Sequence, residues 1–269
     1  EILSNLAGAL VLESLLPFPQ RIRRMIIHKL IAQYLGHRDD SSFYLDQARD
    51  AIRWIEQSGV ALGGGCRALD LGCGHGIFGA ELAKRGCQIT FADDTNLLWP
   101  DIAASRFLTI NLDKDGLSAL GEYDLVVCSN VFEHLAKAKD FLDSAHKILS
   151  PQGRLYLSWT NWLSPWGGHE FSPFHYLGPR RGHLIYDKFT KGKRKHTPFE
   201  NLFPTYIGQT LATIRRSSNL VILRAAPRYY TELSFLVHVP VVREFFTWNC
   251  ALLIGRKVSR SQLSGLETR

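Results

Sequence analysis

Cysteine is scarce in this chain and scattered where it occurs. Its five thiols, Cys66, Cys73, Cys87, Cys128 and Cys250, include no pair at C-x-x-C spacing. That excludes the common zinc and dithiol-redox motifs and predicts reduced thiols in a cytoplasmic protein. Long apolar runs are missing too: none reaches the roughly 18–20 residues that a membrane-spanning helix requires. The apolar opening Ile2–Leu16 lacks a basic start and a small-residue cleavage pattern, and Glu13 interrupts it, so it does not read as a secretory signal. The chain begins at Glu1 rather than Met, which leaves a targeting segment upstream open. There is no internal repeat and no low-complexity tract.

What is present is enough for a full core: 269 residues, 45% of them hydrophobic. The length is generous for one domain and short for two, which predicts one domain with an elaborated lobe. The net charge of +7 is unevenly spread. Residues 1–150 carry 15 Lys and Arg against 19 Asp and Glu, whereas residues 151–269 carry 17 against 6. A basic back half predicts an anionic partner there.

Along the chain, residues 20–35 read as a basic amphipathic helix, with Ile22, Ile26, Leu30 and Ile31 at helical spacing. A second helix fits 42–58 and stops at Gly59. Then short apolar strands alternate with helices, the pattern of a parallel sheet with crossover helices. Strands are expected at Arg67–Leu71, Gln88–Ala92, Arg106–Ile110, Tyr123–Ser129 and Arg154–Trp159, with a helix at Ile77–Arg85 and a long one at Val131–Leu149. Residues 160–205 are rich in Gly, Pro, His, aromatic and basic side chains, which suits a lid. Two late strands, Leu220–Ala225 and Cys250–Arg256, flank Glu232–Phe246. The expected organisation is a helical N-terminal cover (1–60), a nucleotide-binding core (61–160), a lid or substrate lobe (161–215), closing strands (216–258) and a tail (259–269).

Asp70-Leu-Gly-Cys-Gly-His-Gly76 stands where a strand hands over to a helix. Gly72, Gly74 and Gly76 permit positive φ and let a ligand lie against bare backbone, with the free N–H groups of the next helix pointing at it. Gly74 to Gly79 also satisfies G-x-G-x-x-G, which alone would suit an NAD(P)-dependent oxidoreductase equally well. Three features favour S-adenosylmethionine. Asp70 would repel a pyrophosphate but can engage an ammonium group. Asp93 ends the second strand, placed to accept both ribose hydroxyls. The segment 219–256 reads as a closing strand pair that dinucleotide folds lack.

Leu69–Gly76 resembles motif I of class I S-adenosylmethionine-dependent methyltransferases. Ile89–Thr95, Tyr123–Leu135 and Leu149–Leu155 resemble that family's second strand, fourth strand and the turn before its fifth. The resemblance covers roughly residues 65–160. It implies a Rossmann-like α/β sheet, mostly parallel with an antiparallel last strand, and S-adenosylhomocysteine as product. By position it implies that Asn111, where Asp is more usual, lies near the adenine and Asn130 by the methionine end, although Asn130 also reads as a helix N-cap. His134 reads as a packed residue of the helix that follows. The N-terminal helices are expected to cover the cofactor, with Phe43 or Tyr44 near the site.

The back half resembles, more loosely, a poorly characterised group of bacterial methyltransferases well represented in actinobacteria, through Ser158–Glu170, His175–Gly178 and Val239–Phe245. Some of that group are encoded among cell-envelope glycan enzymes, which implies a sugar or lipid-linked small acceptor. An alcohol acceptor needs a base, and His169, Glu170 and His175 are the candidates; the alternative for them is satisfying loop backbone groups. No metal site is expected, because His169, Glu170, His175 and His183 match no metal-ligand spacing. The basic run Arg180–Lys195 reads as a solvated loop, a site for a phosphate-bearing substrate, or a contact with an anionic membrane. Nucleic acid is disfavoured, since no recognised binding module accompanies the charge. A peripheral membrane location would use the basic helix 20–35 and the apolar segment 233–246. A non-catalytic binding module on the same fold is the remaining alternative.

Overall fold

The computed structural model describes residues 40–190 and 194–257. The helix expected over 20–35, the tail 259–269 and positions 191–193 of the basic run lie outside the described residues.

Seven strands build one sheet: β1 (Arg67–Leu71), β2 (Gln88–Asp93), β3 (Phe107–Thr109), β4 (Tyr123–Ser129), β5 (Leu149–Thr160), β6 (Leu220–Pro227) and β7 (Asn249–Arg256). Their order is β3-β2-β1-β4-β5-β7-β6. The first five pair in parallel, and β7 runs antiparallel to both β5 and β6. This is the expected mostly parallel sheet with an antiparallel last strand. A dinucleotide-binding sheet has no such inserted strand.

Both faces of the sheet are covered, so its central strands bury apolar side chains on both faces. Leu69, Leu71, Val126, Cys128, Leu155 and Leu157 face one core. It is closed by α3 (Ala138–Ser144) and α5 (Ile207–Arg216), whose Phe141, Leu142, Leu211 and Ile214 are buried. The alternate residues Ala68, Leu125, Val127 and Tyr156 face the other core, under α1 (Asp40–Gln57) and α2 (Ile77–Ala83). Arg49 of α1 reaches Glu81 of α2 at 2.9 Å, and Arg224 of β6 stacks on Trp54 at 5.4 Å while donating to Ser58 Oγ at 2.9 Å. A smaller third core of Trp162, Phe171 and Leu202 lies under the lobe that follows β5, which includes α4 (Gly182–Thr190).

Two expectations need correction. The long helix predicted over Val131–Leu149 is broken into a 3-10 turn at Phe132–His134, the seven-residue α3 and a second 3-10 turn at Ala145–Ile148. Glu133 turns inward and its carboxylate accepts the Thr160 N–H at 2.9 Å. Asp113, from the loop after β3, accepts the N–H groups of Ala136 and Lys137 at 3.2 and 2.8 Å and so starts α3 from a distance. The turn expected within Leu149–Leu155, before the fifth strand, is absorbed into β5 by a register shift opposite Tyr123 and Leu125. Segment 232–246 divides into a 3-10 stretch, Thr231–His238, and the short α6, Val242–Phe246.

Candidate active site

The glycine loop joins the carboxyl end of β1 to α2 as the sequence suggests. Gly72, Gly74 and Gly76 have φ of 70°, 50° and 79°. A Cβ on Gly72 would stand 2.3 Å from Val131 Cγ2, and one on Gly76 2.6 Å from Leu98 and Ile102, whereas Gly74 has open space on that side. Gly74 is therefore the member of the loop whose bare backbone faces a vacant volume.

Two carboxylates hold the loop. Asp70 is buried and its Oδ2 accepts the Gly79 N–H at 2.7 Å, in the first turn of α2. Burial raises its pKa to about 7; the Gly79 bond works against that rise and the nearby Asp93 charge adds to it. Asp93 accepts the Gly74 N–H through Oδ2 at 2.7 Å and the Asp94 N–H through Oδ1 at 2.8 Å. Burial pushes its carboxyl upward too, opposed by these two bonds. Cys73, inside the loop, is held as a thiol by burial beside the carboxylates.

Asn111 follows β3, and its Oδ1 accepts the Asp113 N–H at 3.1 Å while its own N–H donates to Asp115 Oδ2 at 2.7 Å. One lone pair of the amide oxygen remains for a ligand. Asn130 directly follows β4 with φ of 57° and does not cap a helix, which corrects the N-cap alternative. Its Oδ1 instead accepts from Arg228 Nη1 at 3.2 Å and Asn249 Nδ2 at 3.0 Å, and its Nδ2 donates to Gln47 Oε1 at 3.3 Å. The buried Arg228 also donates to the Gln47 carbonyl at 3.4 Å. Asn130 thus ties β4, β6, β7 and α1 together. Tyr44 lies one helical turn before Gln47, half-exposed, with Phe43 against it at 5.5 Å. Gln47, Arg228 and Asn249 gave no signal in the sequence, because each acts from a different element.

The loops beyond β4 and β5 bring three imidazoles together. The ring of His169 lies 5.3 Å from that of His134 and 4.5 Å from that of His196, and the His134 and His196 rings are 5.2 Å apart. His134 Nδ1 is 2.6 Å from the Asn201 carbonyl. His196 Nδ1 lies 2.8 Å from Glu170. His169 stands on a left-handed backbone, φ 50°, with its Nδ1 buried and unpartnered. Burial, then His134 and His196, press its pKa down to about 3, so it is neutral at physiological pH. Burial works against ionisation of Glu170, yet the His196 bond carries it below the usual carboxylate range.

His175 does not join this group. It is fully buried, Nε2 3.0 Å from the Ser164 carbonyl, and its ring meets Trp162, Phe171 and Tyr176. His183 is likewise apart, its Nδ1 3.0 Å from the Pro179 carbonyl. In the basic run, Arg194 is committed to Asp187 by a two-pronged pair at 2.7 and 2.9 Å.

A family profile described as "Methyltransferase domain" matches residues 20–191. The chain is 34% identical over 222 residues to an uncharacterized methyltransferase of Mycolicibacterium vanbaalenii, covering 80% of this chain and 84% of the relative. It is 28% identical over 237 residues to an uncharacterized methyltransferase of Mycobacterium avium, covering 84% and 93%. Among solved structures, magnesium protoporphyrin IX methyltransferase from Synechocystis, with bound S-adenosylhomocysteine, shares the fold at a TM-score of 0.50 and 17% identity, over 90% of this chain and 89% of that one.

Proposed function

The chain belongs to the methyltransferase domain family, whose methyl donor is S-adenosylmethionine, and from that premise we propose that it methylates a hydroxyl of a sugar or a lipid-linked, anionic small acceptor. The observation that carries this reading is the sharing of one sheet edge. The glycine loop stands at the carboxyl end of β1, and the imidazole–carboxylate group stands on the loops after β4 and β5. Ligands of open α/β sheets bind along that edge.

The residues present fit the cofactor. The open side of Gly74 leaves room against bare backbone, Asp70 offers a buried carboxylate for the ammonium group, and Asp93 keeps lone pairs for the ribose hydroxyls. Asn111 would meet the adenine amine, and Asn130 and Tyr44 would flank the methionine end. When bound, the cofactor supplies a sulfonium methyl open to in-line displacement, for which positioning is the main requirement. The Glu170–His196 pair is the group that would take the proton of the acceptor hydroxyl, and His169, kept neutral beside it, would orient that hydroxyl through a hydrogen bond. The carboxylate orients one imidazole through Nδ1 and leaves Nε2 as the base.

One further observation supports a membrane-peripheral location. Phe235, Val241 and Phe246 are 58%, 69% and 61% exposed on the segment that joins β6 to β7. Exposed apolar side chains of this kind suit shallow insertion beside anionic lipid, with the acceptor presented from the lipid surface. No helix among the described residues is long and apolar enough to cross a membrane.

The test is transfer from methyl-labelled S-adenosylmethionine to fractionated polar lipids and soluble glycans of an actinobacterium. Label in a base-stable ether of either fraction is expected. Cofactor binding with no label in any fraction favours the non-catalytic alternative. Preference for NAD(P)H over S-adenosylhomocysteine in titration would overturn the reading altogether.

A further inference from the structure

We propose that His134, His169 and His196 together bind one divalent transition-metal ion of the zinc class. One ligand atom from each lies within 4.8 Å of the other two. A tetrahedral zinc site needs nitrogens about 3.4 Å apart, given Zn–N bonds of about 2.0–2.1 Å, and modest rotation of the three rings closes that gap.

The surroundings argue for a ligand more strongly than the spacing does. A metal-binding imidazole commonly donates its second N–H to a carbonyl or carboxylate, which fixes the tautomer and aims the other nitrogen at the ion. His134 Nδ1 is held by the Asn201 carbonyl at 2.6 Å, and His196 Nδ1 by the Glu170 carboxylate at 2.8 Å. Both Nε2 lone pairs are thereby free. The third member, His169, has a buried Nδ1 with no hydrogen-bond partner, an expensive arrangement unless something accepts that nitrogen's capacity. Its left-handed backbone is the kind of strain that a structure retains at functional sites.

The loop carrying His196 is built rather than incidental. Arg194 grips Asp187 and also donates to the His196 carbonyl at 2.7 Å. Asn201 donates to the Lys195 carbonyl at 2.9 Å and accepts the Thr197 N–H at 2.7 Å. The same Asn201 supplies the carbonyl for His134, so one residue positions two of the three ligands. Three protein nitrogens leave a fourth position for water or an acceptor oxygen. With the ion bound, His196 Nε2 is a ligand, and the proton of the acceptor hydroxyl would go to an oxygen held at that fourth position; failure of the inference leaves the cofactor site and the imidazole base of the proposed function in place.

The untagged full chain is titrated with zinc chloride by calorimetry in a non-chelating buffer, and its cobalt(II) form is examined by visible absorption. One equivalent of zinc and an intense tetrahedral cobalt spectrum are expected. Losing the carboxylate behind a ligating imidazole, as in Glu170→Gln, should weaken zinc about 10–100-fold, and His196→Ala or His134→Ala should weaken it more than about 100-fold. S-adenosylhomocysteine binding measured on each variant reports that the core is folded. Should His134→Ala fail to fold, His196→Ala and the cobalt spectrum of the unaltered chain carry the test. Absence of stoichiometric zinc in the unaltered chain, or zinc binding undiminished by His196→Ala, overturns the proposal.

Discussion

Asp93 accepts the backbone N–H of Gly74 at 2.7 Å, so the carboxylate that ends β2 and the open glycine of the loop form one unit across two strands. Replacing Asp93 by Ala removes both an anchor of the loop and the acceptor for the ribose hydroxyls. A hydrogen bond to a charged group is worth about 1.5–3 kcal/mol, which is a factor of about ten or more in affinity. S-adenosylhomocysteine should bind Asp93→Ala at least about tenfold more weakly by calorimetry. Equal affinity in the two proteins would contradict the assignment.

Asp70 predicts a pH dependence whose sign follows from its raised pKa of about 7 in the folded chain, against about 3.9 when unfolded. Below about pH 4 the carboxyl is protonated in both states and costs nothing. Between about pH 4 and 7 the unfolded chain ionises while the folded one resists, so this group's contribution to stability falls, and the loss is complete above about 7. An ammonium ligand favours the ionised form, so S-adenosylhomocysteine affinity should rise from pH 5 to about 7 with release of a proton. Asp70→Asn should flatten both slopes. Calorimetry in two buffers of different ionisation enthalpy measures the proton directly, and proton uptake on binding would refute the assignment.

Gly79 and Gly74 separate packing from binding. A Cβ on Gly79 would lie 2.3 Å from Phe91 Cε1, and Phe91 is 2% exposed with no room to retreat. The helical preference for Ala, about 1 kcal/mol, is outweighed by overpacking of about 1–3 kcal/mol. Gly79→Ala should therefore lower the melting temperature yet leave cofactor affinity intact in the folded fraction. Gly74→Ala meets no neighbour and bears mainly the left-handed strain of about 1–2 kcal/mol, but it fills the face where a ligand would lie. Its larger effect should appear in S-adenosylhomocysteine binding. A Gly74→Ala protein that binds normally would move the ligand off this backbone.

The contrast between loop and lobe explains what could be read from the residues alone. Asp70 and its three glycines are sequence neighbours at a strand–helix junction, so periodicity and turn chemistry expose them together. The sheet was legible for the same reason, its strands being short apolar runs punctuated by glycine and polar turns. His134, His169 and His196 come from three separate loops, and no spacing rule links them. Asn130 looked like a helix cap because Val131–Leu149 keeps a helical stripe. The inward Glu133 and the remote cap from Asp113 defeat that stripe through tertiary hydrogen bonds invisible to local pattern.

His175 and His169 stand six positions apart in the sequence and should answer mutation in opposite ways. His175 is enclosed by Trp162, Phe171 and Tyr176 and is bonded to the Ser164 carbonyl. Truncating such a ring leaves a cavity and an unmatched carbonyl, a cost of about 2–4 kcal/mol by analogy with buried large-to-small changes. His175→Ala should therefore lower thermal stability, with the surviving folded protein turning over within a few-fold of normal. His169, only partly buried and facing two other imidazoles, should show the reverse: little change in melting temperature and loss of methyl transfer at unchanged cofactor affinity. Should His175→Ala keep its melting temperature and lose turnover, the buried histidine would have to reach the acceptor, and the division between a supporting and a reacting histidine would fail.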